Sequence, residues 1–531
     1  MLSRICNIVT RAIDLIVILF PIVMATILGI VYLFGGWGEI IEGHTLDYYF
    51  LDKINISVPL ILYIFLWILS LFGLTCGFTF LLNKLNKQLL KKVVGSICVF
   101  ILAFGVRYVI LGIYSEDLVP YSDFAASWER AKGNFDGGNL QYYSLFPSYL
   151  NFSIYENLII KAFGDSFINV LYIDAVYCGV TASFLYLIAG EIIHNEVCSL
   201  FVCVLYALYP SNILYTASAT PDFITICFNT IGIYALVKCI KENDALRQIV
   251  WTLVGGFLLG IGGSFKTYSV VMIVAFIMVR FIFLLKCEQE ERRNWMFVVL
   301  LTILVMLGYK YATISILDKS SLYYDMELTT RTATPHYLLI GLNTESEGQI
   351  HIGTISRLYN QYYLSNGLNY EEAKEYAYSL LLNDWKNNAN QIIPNFFKKM
   401  IWAWQDDYIP IRYFITSVGI HPNTMIEKTV FDIVENYGAG VGQISYLLVL
   451  VLAMVGALSC FRNKAGNMIY VFIALIIIGY FCMVFLAEGQ SRYKCLVMPY
   501  IMILSGLGTE RILQSFYLKM IKRLKGGLKD E

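Results

Sequence analysis

Residues 93–128 read VVGSICVFILAFGVRYVILGIYSEDLVPYSDFAASW. Positions 93–113 carry a single charge, Arg107. The run is long enough to cross about 30 Å of hydrocarbon, which takes roughly 20 apolar residues. Beyond it the chain turns acidic and aromatic, and Asp123 arrives ten residues past the apolar run. A stretch built this way delivers a carboxylate to the surface of a membrane.

Apolar runs of similar length recur over 12–34, 56–82, 167–190, 197–216, 220–239, 248–264, 268–286, 295–315, 441–460, 468–487 and 495–514. Of the 531 residues 58% are apolar and 15% charged, with a mean hydropathy of +0.62, outside the range of soluble domains. The expected fold class is an all-α polytopic membrane protein with about twelve transmembrane helices. The net charge is zero, so total charge implies no partner, nucleic acid included.

Charge distribution orients the chain. With a cytoplasmic N-terminus, the inner segments hold Arg4 and Arg11, Lys84, Lys87, Lys91 and Lys92, Lys238, Lys241 and Arg247, Lys286, Arg292 and Arg293, Arg462 and Lys464, and a basic tail. The short outer loops hold only Lys53, Lys266, Arg492 and Lys494. Positive charge favours the cytoplasm, so both termini are expected inside and two long loops, 114–162 and 317–439, outside. Four blocks follow: a two-helix hairpin over 1–92, a seven-helix core over 93–316 containing the first long loop, an outer domain over 317–440, and three helices with the tail over 441–531. None of the twelve cysteines lies in either long loop, so neither a disulfide framework nor a zinc spacing can be drawn from them.

The long loops carry helical patterns of their own. Residues 122–131 (SDFAASWERA) offer a capping Ser or Asp, and 149–163 form an amphipathic stretch expected to lie in the interface. Residues 371–385 have acids in their first turn, and 396–404 (FFKKMIWAW) place Lys398 and Lys399 beside aromatics, the composition of an interfacial anchor.

Several charged positions are candidates for chemistry. Asp123, at the outer surface, is suited to take a proton from a hydroxyl nucleophile; the blander reading is a solvated acid capping a loop helix. Glu116 and Asp117 are rivals nearer the span. Asp222, after Pro221, either serves the helix dipole or joins Asp123 in binding an acceptor or a cation. Lys266 in GGSFKTY and Arg492 in EGQSRYK are cations on the outer side, against the orientation rule. They either anchor to headgroups or bind a phosphate, for which arginine offers a planar fork and lysine a point charge. Glu488 is placed to orient Arg492, and Arg107 is a further cation below the surface, where charge is functional by default. The phosphate-binding Walker loop, the dinucleotide glycine fingerprint and His-Glu-x-x-His are missing, and the five histidines are scattered, which argues against ATP-driven transport and zinc chemistry.

These motifs, in this order, resemble the C-type integral-membrane glycosyltransferases (GT-C), in particular bacterial relatives of dolichyl-phosphate-mannose protein mannosyltransferase and of lipid A aminoarabinose transferase. The resemblance rests on Ser122-Asp123 in the first outer loop, FPSY (146–149) with AFGD (162–165) before a span, Leu208-Tyr209-Pro210 leading to Pro221-Asp222, Ser264-Phe265-Lys266, and Glu488-x-Gln490-x-Arg492-Tyr493. It covers about residues 93–510. Phe124 stands where the mannosyltransferases have the second acid of an Asp-Glu pair, and the first two spans look like an addition.

The resemblance implies a sugar donor on a polyprenyl (undecaprenyl) monophosphate in the outer leaflet. Asp123 would be the base of an inverting transfer to a cell-envelope glycan, lipid or protein. Lys266, Arg492 and more weakly Arg107 would hold the lipid phosphate, supported by Glu488, Gln490 and Tyr493. No cofactor is implied; a divalent metal at Asp123 and Asp222 is allowed and not required. Rival readings are a polymerase or ligase of the O-antigen type, fed by a polyprenyl-diphosphate oligosaccharide, and a glycolipid flippase.

Overall fold

The computed structural model describes residues 19–33, 56–121, 123–134, 147–286, 295–324, 333–344, 370–418, 423–463 and 468–527. Ser122, Phe146, Lys53, residues 137–138 and the inner charges Arg4, Arg11, Arg292, Arg293 and Lys464 lie outside them. All regular elements among the described residues are helical.

Within the described residues, which leave out 12–18 of the first run, every expected apolar run coincides with a helix or a broken pair of helices. These are α1 (Leu19–Leu33), α2 (Val58–Asn83), α3 (Gln88–Ile113), α6 (Phe167–Ile192), α7 (Glu196–Ala207) with α8 (Pro210–Tyr215), α9 (Pro221–Lys241), α10 (Ala245–Phe265), α11 (Ser269–Lys286), α12 (Trp295–Tyr324), α18 (Ala439–Asn463), α19 (Met468–Leu486) and α20 (Met498–Gly527). Eight are long and apolar enough to cross a membrane, nine if the pair α7 and α8, bent by 46°, counts as one span; the apolar parts of α1 and α11 are shorter.

The break between α7 and α8 is built into the sequence: Pro210 has no amide proton, so the α7 ladder cannot continue through it. Carbonyls freed in an apolar interior must find donors. Arg107 of α3 donates to Ala207 O at 3.2 Å, and the Trp67 indole donates to Leu208 O at 2.8 Å.

In the core α9 packs antiparallel to α10 and α3 antiparallel to α6, while α10 with α12 and α18 with α20 run parallel. Glycines allow close approach: a Cβ on Gly256 would lie 2.4 Å from Val305 O, so α10 and α12 meet backbone to backbone. The two ends of this bundle differ in charge. At one, Lys92, Lys238 and Lys241 converge on Glu191 at 3.4, 2.9 and 2.5 Å. At the other, α9 starts with Asp222.

Between the spans, the first loop forms α4 (Asp123–Ala131) and α5 (Pro147–Phe163); the second forms α13 (Ala333–Leu342), α14 (Tyr370–Asn387), α15 (Ile392–Trp404), α16 (Ile409–Ser417) and α17 (Met425–Ile433). In α4 the residues Phe124, Ser127, Trp128 and Ala131 are buried, the helical stripe that docks it on α5. Of the stretch 149–163, expected in the interface, one face packs on protein while Leu158 and Phe163 on the other are exposed. Leu150 to Ser153, Glu156 and Ile159 are buried, and Asn151 donates to Ser264 O at 2.7 Å, which ties α5 to the end of α10. Its apolar face met protein because α12 runs past the expected span to Tyr324 and closes over it, with Ser320 bonded to Asn151.

Candidate functional site

The α9–α10 pair brings two of the sequence candidates together. Gly262, one turn before the end of α10, approaches Asn229 of α9 so closely that a Cβ would lie 2.5 Å from its Oδ1, and Thr225 Oγ1 bonds Gly262 O. The end of α10 is thereby fixed beside the start of α9. Lys266, the cap residue of α10, extends its Nζ to 3.5 Å from Asp222 Oδ1. Asp222 is itself held: the Tyr215 hydroxyl donates to Oδ2 at 2.7 Å, and Thr220 Oγ1 accepts from its amide. The turn that delivers it contains Ala219 at φ 45°, a left-handed conformation costly for a residue with a Cβ. Such strain persists where the surroundings over-determine the backbone.

Arg492 joins them from a short 3₁₀ turn (Ser491–Leu496) between α19 and α20. It is 4% exposed. Its guanidinium donates to Tyr413 Oη at 2.9 Å and to Tyr493 Oη at 3.3 Å, while its Nε has no hydrogen-bond partner. Among the described residues no carboxylate lies within ion-pair distance of it. Tyr493 relays onward, donating to Glu488 Oε2 at 2.9 Å, and Gln490 bonds the other oxygen of the same carboxylate. Burial raises the pKa of Glu488, against the opposing pull of Arg492.

Aromatic rings connect the two cations. Lys266 Nζ lies 5.0 Å from the Tyr493 ring and 5.7 Å from that of Tyr149. Arg492 lies 5.1 Å from Tyr493, 5.5 Å from Tyr413 and 5.7 Å from Phe124. Phe124 follows Asp123 in α4, so Asp123 stands at the rim of the same cluster, half-buried, its charge felt at Tyr149 and Glu488. Asp123, Asp222, Lys266, Arg492, Glu488, Gln490 and Tyr493 thus meet in one place, from four separate stretches of chain. No group of three or more metal-ligating His, Cys, Asp or Glu occurs among the described residues.

Three candidates are placed elsewhere. Arg107 is buried within the spans at the helix break, its ring neighbour Tyr206. Asp117 accepts from Asn423 at 2.9 Å and so links the two long loops. Lys399, expected as an interfacial anchor, is 3% exposed and inserted into protein.

Two acids escaped the sequence reading. Asp174 is fully buried in α6 and coupled to Asp222 and Glu156; an acid inside an apolar run (FINVLYIDAVYCGV) was the available signal. Glu156 fastens α5 to α4 by accepting from Ser127 Oγ at 2.6 Å. Burial pushes its carboxyl up to about 8, against that bond and the charge of Arg130, so it carries a proton at neutral pH. The ordinary value is about 4.3. The unfolded chain therefore gives up this proton first, and stability falls as pH rises from about 4.3 to about 8. Glu156→Gln keeps an acceptor for Ser127 without the titration. Thermal melts should show it as stable as the parent at about pH 4 and more stable at pH 8; a variant melting below the parent at pH 8 would overturn this.

Residues 154–309 match the family model described as dolichyl-phosphate-mannose-protein mannosyltransferase, under a third of the chain. No curated protein matches the sequence. The matched stretch contains Asp222 and Lys266, while Asp123 and the turn with Arg492 flank it. Together with the helical spans, the match supports a multi-pass membrane glycosyltransferase of the GT-C type.

Proposed function

We propose that this protein transfers a sugar from a polyprenyl monophosphate donor, undecaprenyl phosphate in the bacterial case, to a hydroxyl of a cell-envelope glycan, lipid or protein at the outer membrane face. The observation that carries this is Arg492, a buried guanidinium whose partners are two tyrosine oxygens and, among the described residues, no carboxylate. A guanidinium keeps its charge, and buried charges are ordinarily paired. Arg492 therefore awaits an anion.

Charge balance favours the monophosphate. Lys266 is already offset by Asp222, and Arg492 has no carboxylate within ion-pair distance among the described residues. One positive charge remains, matching the single charge of a phosphodiester, whereas a diphosphate donor brings two. In the transfer, the acceptor oxygen bonds to the anomeric carbon as the bond from that carbon to phosphate oxygen breaks, with inversion. The acceptor proton passes to the Asp123 carboxylate, and the bonding electrons leave with the polyprenyl phosphate. That product carries a second negative charge, so Arg492 and Lys266 interact more strongly with the transition state than with the donor. A good leaving group needs no general acid, unlike glycoside hydrolysis with its two carboxylates. Arg107 takes no part. The second long loop supplies Tyr413 and would cover the acceptor.

Purified protein in lipid nanodiscs, offered monophosphate-linked and diphosphate-linked sugars separately, tests this. Transfer is expected from the monophosphate alone. Consumption of the diphosphate oligosaccharide with chain growth would instead establish a polymerase or ligase.

A further inference from the structure

The turn that carries Arg492 is bound at both ends by one segment of the outer domain. At its exit, Lys494 reaches back to Asp406 O and to Asp407, 3.7 Å from its Oδ1. At its entry, Lys399 of α15 donates to three carbonyls: Gly341 O of α13 at 2.7 Å, and Phe485 O and Ala487 O at the end of α19, both at 2.6 Å. The elements it joins are in close contact, since a Cβ on Gly341 would lie 2.2 Å from Leu486 O. A helix C-terminus leaves carbonyls without intrahelical donors, and a cation is the favoured partner there. What is unusual is that the cation is buried and comes from another element.

Glu488 begins one residue after the Lys399 clasp, and its carboxylate holds Tyr493, which in turn holds Arg492. A shift of Ala487 therefore passes through two hydrogen bonds to the guanidinium. We infer that Lys399 is a positioning residue, one that keeps the turn from Glu488 to Arg492 in the form that receives an anion. The inference rests on the assignment of Arg492 to the donor phosphate.

The clasp is sensitive to pH. Burial lowers the Lys399 ammonium to about 7, against the attraction of Glu488, the charged group facing it from the turn. Gly341, Phe485 and Ala487 bring no titratable side chain. Three carbonyls need all three N–H groups of the ammonium; the neutral amine has two. As pH rises through about 7 one carbonyl loses its donor and the turn loosens.

The test combines hydrogen exchange over residues 484–497 with donor kinetics, for the full chain and for Lys399→Met in nanodiscs containing the monophosphate-linked sugar. In the variant, exchange should rise about tenfold or more in this turn, and the donor KM should rise about tenfold with a smaller change in kcat. The parent donor KM should increase between pH 6 and 8.5, and the variant should lose that dependence. Unchanged exchange in the variant would overturn the inference. So would a parent whose exchange in this turn shows no rise beyond the intrinsic pH effect, a measurement that remains if Lys399→Met fails to fold. Faster exchange with an unchanged donor KM would uphold the positioning role and count against Arg492 as the phosphate group.

Discussion

Asp123→Asn is expected to bind the lipid-linked donor as the parent does and to lose sugar transfer by about 10²–10⁴-fold, the usual contribution of a general base. The other acids in the cluster are engaged. Asp222 faces Lys266 and accepts from Tyr215, and Glu488 is held by Tyr493 and Gln490. Asp123 has no such partner among the described residues and stands half-buried at the rim, where an acceptor hydroxyl would arrive. Asparagine keeps its size and leaves the docking of α4 through Phe124, Ser127 and Trp128 untouched. The lost helix-dipole term at the start of α4 is only about 0.3–1 kcal/mol, so the fold survives. Product formation and donor binding, measured on the same preparation, check the two halves of this expectation. Full activity would remove Asp123 as the base and direct attention to Asp222.

Much of this layout is legible in the chain. Hydropathy locates the spans, because burial in lipid demands continuous apolar runs whatever the neighbours. The orientation rule singles out Lys266 and Arg492 as cations needing a reason, and both lie in the cluster. What single-sequence reading misses are partners. Lys399 among Phe396, Phe397, Trp402 and Trp404 has the composition of a headgroup anchor, and only the placement of α13 and α19 turns it into a buried clasp. Arg107 reads as a functional charge because it lies inside a span; its partner Ala207 O is exposed by the break at Pro210, 100 residues on. Glu156 sits in an amphipathic stretch that gives no sign of its partner, and only the docking of α4 brings Ser127 to it.

Arg492→Met is expected to raise the donor KM by about 30- to 1,000-fold, the result of removing one member of a buried charge pair at about 2–4 kcal/mol. Arg492→Lys should fall between, since an ammonium restores the charge without the planar fork. A structural arginine would give the same kinetic loss by unfolding the site, so the decisive reading is stability without donor. A buried guanidinium facing tyrosine oxygens, with no carboxylate at ion-pair distance among the described residues, costs the folded state desolvation that its hydrogen bonds and ring contacts recover only in part. Methionine removes that cost while filling comparable space among Phe124, Tyr413 and Tyr493. The variant should therefore melt at or above the parent temperature in the absence of donor. The parent alone should gain from added polyprenyl monophosphate sugar, by RT ln(1 + [L]/Kd), about 2.7 kcal/mol at a hundredfold excess over Kd. A variant that melts well below the parent without donor would mean that Arg492 holds the fold together. Equal donor stabilisation in parent and variant would mean that the phosphate binds elsewhere. Stability given up at an unpaired cation and regained only with ligand is the behaviour of a binding site, and no structural role for the guanidinium reproduces it.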